Sequence, residues 1–329
     1  MKSDVANVSL EEIQAPVRAE LDEVFEELGR ILLADVTLIN DVSSHLLRIK
    51  GKMFRPTLLL LSAQAVGSVQ AKERTLAAVV ELIHLATLLH DDSIDHSALR
   101  RGQPTVNAEF SHEVAVIMGD YLYSRAIEQL VNLKSQDALE IMSRVTNELT
   151  VGEMREVLAY DGLEFSEEGY RSLILGKTAS LIAGACELGA LAGGPEWRDV
   201  MRSYGTDLGA AFQIADDLLD YTATEEATGK PVGQDLREHK VTLPLIAALP
   251  QMSADDRVVV ESLMADPEPD DDHIAAVIRI VEARGGIEAA RERASELANG
   301  AEKKLDRLPA GAARDALRSC ITYCVERSK

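Results

Sequence analysis

The strongest constraint on this chain is the period of its apolar residues. Only ten prolines interrupt 329 residues. Between them run long stretches of Ala, Leu, Glu and Arg with apolar positions recurring every three or four residues. That spacing lays one apolar stripe along an α-helix, and these residue types favour helix. Alternating β-branched segments bounded by turns are missing. The chain is therefore expected to be all-α. Helices are predicted over roughly 9–34, 37–49, 55–66, 73–96, 108–132, 137–160, 166–192, 195–221, 240–249, 254–265, 271–284, 286–305 and 310–327. From Thr75 to Leu89 apolar residues occur almost all round, which predicts a helix buried on most sides. The segment from Asp266 to Asp272 carries Pro267 and Pro269, so it reads as a loop running into an acidic helix start.

Apolar residues make up 46% of the chain, enough for a packed core. No apolar run reaches the roughly 18 residues that span a bilayer, and the first residues lack the basic-then-apolar pattern of a secretory signal. The expectation is a cytoplasmic protein with no transmembrane segment. A net charge of −21 argues against nucleic acid as a partner. Cys186, Cys320 and Cys324 suit a reducing compartment and read as core residues.

Two acidic clusters carry the chemistry. Leu82 to Arg101 reads LIHLATLLHDDSIDHSALRR. Asp91 and Asp95 lie one helical turn apart on one face, with Asp92 alongside. Carboxylates at the end of an apolar helix are costly unless cations neutralise them. Hard Mg²⁺ ions take oxygen ligands and bridge to phosphates, and Arg100 and Arg101 follow with forks suited to phosphate. One DDxxD alone is a weak signal that an ordinary acidic helix end also explains. Leu208 to Tyr221, LGAAFQIADDLLDY, repeats the spacing with Asp216, Asp217 and Asp220, and Gln213 shares their face. Lys230 and Lys240 flank the glycine-containing loop downstream, as phosphate-reaching point charges. Two such helices facing each other could hold metal between them.

Other candidates are weaker alone. Lys52 and Arg55 precede a helix, His84 lies seven residues before Asp91, and Lys177-Thr178 sits on an apolar helix where a buried lysine needs an anionic partner. Glu81-x-x-His84 and Glu109-x-x-His112 also match the Glu-x-x-His pairs of di-iron bundles, a reading that leaves both aspartate clusters unexplained.

Together these segments resemble the trans-polyprenyl diphosphate synthases. GKMFRP, HDDSID with HSALRRGQPT, MGDYLYSRA, GKTASL, FQIADDLLDY and GKPVGQDLREHKVTLPLI look like family segments in family order, spanning roughly 52–245. The resemblance implies one helical domain over 1–329 around a central cavity (the isoprenoid synthase type I fold), usually in a homodimer. It implies condensation of isopentenyl diphosphate with an allylic diphosphate. By similarity, Asp91, Asp92, Asp95, Asp216, Asp217 and Asp220 bind Mg²⁺, up to about three ions per site. Arg100, Lys177, Lys230 and Lys240 would contact the allylic diphosphate. Lys52, Arg55, His84 and Arg101 would hold isopentenyl diphosphate, and the oxygens of Thr178 and Gln213 would face the allylic cation. Met53 and His239 depart from the pattern, where the family often has arginine and usually has glycine.

The small Ala86 and Thr87, one turn before Asp91, and the aliphatic Ile83, Leu82 and Val79 beyond them provide no aromatic floor. By resemblance this predicts a long-chain product. A farnesyl or geranylgeranyl product stays open, because other helices could supply the floor. A terpene cyclase and a noncatalytic partner subunit are the other readings. The aspartate-rich second cluster argues against the first, and the intact set of aspartates and lysines argues against the second.

Overall fold

The computed structural model describes residues 8–48, 51–159, 163, 165–222 and 232–325. The architecture is helical, as its sequence period requires. The main helices are α1 (Arg18–Leu32), α2 (Thr37–Arg48), α3 (Phe54–Val66), α4 (Ala71–Ile94), α5 (His112–Asn132) and α6 (Gln136–Ala159). Then come α7 (Glu167–Ala190), α8 (Arg198–Thr222), α9 (Leu243–Ala248), α10 (Ala254–Ala265), α11 (Asp271–Ala283), α12 (Gly286–Leu305) and α13 (Ala312–Val325). Polar side chains fix several starts by accepting orphan backbone N–H groups. Ser253 and Asp256 form a capping box on α10, and Asp270 caps α11, as its acidic loop predicted.

One finding departs from the all-helical expectation. Leu99–Arg100 pairs antiparallel with Gln103–Pro104 in a two-residue ribbon. The turn between them is Arg101-Gly102, with φ of 51° and 74°, the left-handed pair of a type I′ hairpin. The segment is too short to alternate visibly, so periodicity passed over it.

Two apolar clusters hold the helices. The larger gathers α1, α3–α6 and α13, with Val42 of α2 and the C-terminal parts of α7 and α12; the smaller gathers α9–α11 with the starts of α7 and α12. α8 belongs to both: Met201, Tyr204 and Leu208 enter the first, and Ile214, Leu218 and Tyr221 the second. Within α4, Leu76, Val79, Val80, Leu82 and Ile83 are all buried, each contributing about 1.5–3 kcal/mol of burial. The helix Glu167–Ala190 has the length and composition to cross a bilayer, which inspection for apolar runs missed. Its apolar window is 83% buried inside the protein, so it is a core helix. α7 is interrupted by a π-helical turn over Leu175–Ala179. There it meets α6 closely: a Cβ on Gly152 would lie 2.4 Å from the Lys177 backbone nitrogen.

Candidate active site

The C-terminal ends of α4 and α8 open on the same cleft. Asp95 from the first cluster and Asp216, Asp217 and Asp220 from the second line one cavity of about 470 Å³, together with Lys177, Thr178, Gln213 and Lys240. Four expected contributors thus come from two helix ends, and four from α7, α8 and the loop before α9. Lys230 lies outside the described residues.

The carboxylates are crowded and poorly hydrated. Burial, reinforced by the negative charge of Glu153, pushes Asp91 up to about 7. Burial also raises Asp217 to about 7, against hydrogen bonds that favour its charged form: Tyr170 Oη donates at 2.5 Å and Gln213 Nε2 at 2.8 Å. Asp235, which also lines the cavity, is pushed up to about 8 by burial and then by Asp217 and Asp220. Such a site is short of positive charge.

Two aspartates of the motifs are already engaged. Asp92 is 5% exposed and accepts from Arg100 Nε with both oxygens at 2.9 Å. Arg100 stands on the first strand of the ribbon, ahead of its turn, and reaches the end of α4 from there. Asp220 accepts the backbone N–H groups of Gln234 and Asp235 at 2.8 and 2.9 Å, so it secures the start of the short helix Gln234–Arg237.

Lys177 sits on the π turn and reaches Glu153 at 3.2 Å and Glu156 more closely. Burial alone would lower its pKa; Glu156 and Glu153 outweigh that and hold it at about 12. The expected anionic partner of the buried lysine is thus internal in this state. Thr178 Oγ1 donates to Gln213 Oε1 at 2.7 Å, which locks both side chains beside the cavity. Lys240, expected within a helix, lies in the loop that precedes α9, 2.7 Å from Glu238.

A second cavity of about 220 Å³ is lined by an earlier stretch of α4. Lys52, Arg55, His84, Arg100 and Arg101 line it with Glu81, and Phe54, Leu88 and Phe212 give it an apolar end. Arg100, expected on the allylic side, lines this cavity, while its charge is still felt by Asp91. Arg55 Nη1 donates to His84 Nε2 at 3.0 Å. Burial and then Arg55 depress the His84 pKa well below its ordinary value, so the ring is a neutral acceptor. Arg55 Nε is buried without a hydrogen-bond partner, an arrangement that suits an incoming anion. Glu81 and His84 therefore face cations, which is unsuited to an iron site.

Sequence reasoning singles out Glu81 only as half of a Glu-x-x-His pair, and it passes over Glu153, Glu156, Tyr170 and Asp235. Glu153 and Glu156 are separated by three positions on α6 and share a face toward Lys177, a spacing that could have marked them. Tyr170 and Asp235 reach the cavity only through tertiary packing.

Comparison with known proteins agrees with this geometry. The polyprenyl synthetase family model matches residues 36–281. An all-trans-nonaprenyl-diphosphate synthase (geranyl-diphosphate specific) of Rhodobacter capsulatus is 37% identical over 319 residues, covering 96% of this chain and 98% of that protein. The octaprenyl diphosphate synthase of Escherichia coli is 36% identical, covering 98% and 100%. A crystal structure of a polyprenyl synthase from Caulobacter crescentus, complexed with calcium and isoprenyl diphosphate, superimposes with a TM-score of 0.91 at 33% identity, covering 98% and 99%. With its motifs, its helical fold and its near full-length relatives in agreement, the chain belongs to the polyprenyl synthetase family and is a prenyltransferase of the trans-polyprenyl diphosphate synthase type.

Proposed function

We propose that this protein condenses isopentenyl diphosphate head-to-tail with an allylic diphosphate to give a long-chain trans-polyprenyl diphosphate. The observation that carries the reading is the pair of adjoining cavities, one walled by aspartates from both clusters and one by arginines, lysine and histidine. Similarity to nonaprenyl and octaprenyl synthases over nearly the whole chain favours the long product over a farnesyl or geranylgeranyl one.

The first cavity fits Mg²⁺. Among the described residues no three His, Cys, Asp or Glu side chains enclose an ion by themselves. Mg²⁺, however, takes few protein ligands and completes its shell with water and phosphate oxygens. Carboxylates with pKa values raised by burial are the groups such a charge would relieve. Asp91, Asp95, Asp216 and Asp217 are the ligands we assign. Asp92 holds Arg100, and Asp220 holds the loop bearing Asp235. When bound, Mg²⁺ would supply Lewis-acid neutralisation of the allylic diphosphate.

The chain's own residues account for the rest. Lys177 and Lys240 donate to the departing diphosphate, whose negative charge grows as the carbon–oxygen bond breaks. For Lys177 this means exchanging Glu153 and Glu156 for the substrate. Thr178 donates its hydroxyl hydrogen bond to Gln213 Oε1, which leaves the Thr178 oxygen lone pairs to face positive charge at the allylic carbon. Lys52, Arg55 and Arg101 grip isopentenyl diphosphate, with His84 orienting Arg55. This brings the double bond to the cation, a positioning effect. Glu156 and Glu153, and the diphosphate that replaces them, keep Lys177 charged, so it is no base and the released diphosphate takes the proton lost in forming the new double bond. Apolar walls at Phe165, Leu173 and Ile174 exclude water from the cation.

The chain forms one domain, since α8 is shared by both apolar cores, and two copies pair as a homodimer. Val116, Ile117, Tyr123, Ile127 and Val131 on α5, with Val151, Met154 and Leu158 on α6, form an exposed apolar face; Ile117 is 65% and Leu158 75% exposed. So large a patch calls for a partner, and a second copy fits the family resemblance. A cytoplasmic location suits three free thiols.

The test is incubation with labelled isopentenyl diphosphate, Mg²⁺ and several allylic starters, with products resolved by chain length. Long products requiring both substrates support the reading. Turnover of the allylic diphosphate alone, or no dependence on Mg²⁺, overturns it.

A further inference from the structure

Lys240 and Asp235 reach the aspartate cavity from a segment with little helix of its own, so something must hold that segment in place. Its beginning is held by α8: Gly233 N–H donates to the Asp220 carbonyl at 2.9 Å, and the Asp220 carboxylate takes the next two amides. Gly233 has φ of 76°, and a Cβ there would lie 2.3 Å from Ile274 on α11. Its end is held differently. His239 sits in the left-handed region at φ 57°, which any residue with a Cβ adopts at some cost relative to glycine. Its ring Nε2 stands 2.8 Å from the Asp266 carbonyl. Two residues earlier, Arg237 Nη1 donates to the Pro269 carbonyl at 2.9 Å, and Nη2 meets Asp271 at 2.5 Å. Both side chains reach the same turn, the proline-stiffened connection between α10 and α11.

We propose that His239 and Arg237 form a latch that fastens the Lys240 segment to the 266–271 turn, and that His239 is a positioning residue for Lys240. The ring compensates for the unfavourable backbone at its own position. A glycine there would keep the backbone turn without strain, but it would have nothing to grip the turn with. The Lys240 N–H to Asp235 carbonyl bond at 2.7 Å transmits the placement, because the latch fixes one side of the small ring that carries both residues. The proline pair that looked like a solvated loop in sequence is thus the anchor plate for a catalytic side chain. This inference rests on the reading of Lys240 as a diphosphate contact.

The test uses the full-length protein, with His239→Gly, His239→Ala and Arg237→Ala. Hydrogen exchange by mass spectrometry reads the latch without reference to activity. Amides over 233–241 should exchange about fivefold faster in His239→Gly, the worth of one neutral hydrogen bond. His239→Ala, which keeps the strained backbone and loses the grip, should exchange faster still. The KM for the allylic diphosphate should rise in His239→Gly, by up to about fivefold where the segment spends most of its time out of place, because only the fraction with the segment in place binds productively. kcat should stay within about twofold, since bound diphosphate recruits Lys240 once it is present. The KM for isopentenyl diphosphate should not change. Unaltered exchange over 233–241 overturns the latch, and faster exchange with unaltered kinetics overturns its role in positioning. A Lys240→Ala variant of full activity would instead overturn the reading of Lys240 while leaving the exchange result standing.

Discussion

Gly152→Ala is a small change with a large expected effect. Gly152 lies on α6 against the π turn of α7, and an added Cβ would sit 2.4 Å from the Lys177 nitrogen and 2.7 Å from the Gly176 carbonyl carbon. Gly176 is equally tight, its own Cβ position lying 2.9 Å from the Gly152 Cα. The three atoms nearest that Cβ position are all backbone, so no side chain can swing away. Restoring ordinary contact at 3.4–4 Å requires the two helices to part by about 1 Å, an overpacking cost of about 1–3 kcal/mol. The displaced element carries Lys177 and Thr178, while Glu153 and Glu156 ride on the helix opposite. A misplacement of about 1 Å costs on the order of a hundredfold in rate. Urea unfolding should therefore show a lower midpoint, and initial rates at saturating substrates should fall about a hundredfold. Gly29→Ala is the control: it adds a methyl to α1 with nothing within 4 Å and should stabilise by about 0.5–1 kcal/mol with activity retained. Gly152→Ala protein with wild-type stability and full turnover would refute the close-packing argument.

Three further outcomes are expected. Without metal, Asp91 and Asp217 titrate near 7 and Asp235 near 8. Because these folded-state values lie above the ordinary 3.8, their contribution is full at low pH and is lost progressively as pH rises from about 4 through the folded values of about 7 to 8. In chelator the melting temperature should fall across that window, and Mg²⁺ with inorganic diphosphate should restore it; a metal-free melting temperature that rises with pH would contradict the burial argument. Lys177→Ala should lower kcat by about 10²–10³, the loss expected on removing one preorganised donor to developing negative charge, and steady-state rates would show it. Ala86→Phe, at a buried position of α4, should shorten the product in chain-length analysis, whereas an unchanged length would remove the argument from small residues before Asp91.

The helices and both aspartate clusters were legible because they depend on local order. Apolar residues at three- and four-residue spacing mark α4 and α8, and the DDxxD spacing puts its carboxylates on one face of each. What the clusters do individually was less legible. Asp92 and Asp220 look like their neighbours in sequence, yet one is held by an arginine eight residues on and the other by amides fourteen and fifteen residues on. The π turn at Leu175–Ala179 arises where two glycines let α6 and α7 touch, a tertiary cause without a local pattern. Lys240 was placed in a helix because apolar residues follow it; Pro244 near the start of α9 and the left-handed His239 instead leave it in a loop. Tyr170 and Glu156 acquire their meaning only from Asp217 and Lys177 across the cavity.

The account stands on carboxylates from α4 and α8 acting together on one diphosphate. Anomalous diffraction from crystals grown with Mn²⁺ in place of Mg²⁺, and with an unreactive thio-analogue of an allylic diphosphate, tests this directly. Ions ligated by Asp91 or Asp95 on one side and by Asp216 or Asp217 on the other, joined through the analogue's oxygens, are the predicted result. Ions confined to one helix, or the analogue seated instead among Lys52, Arg55 and Arg101 with no metal near it, would contradict it.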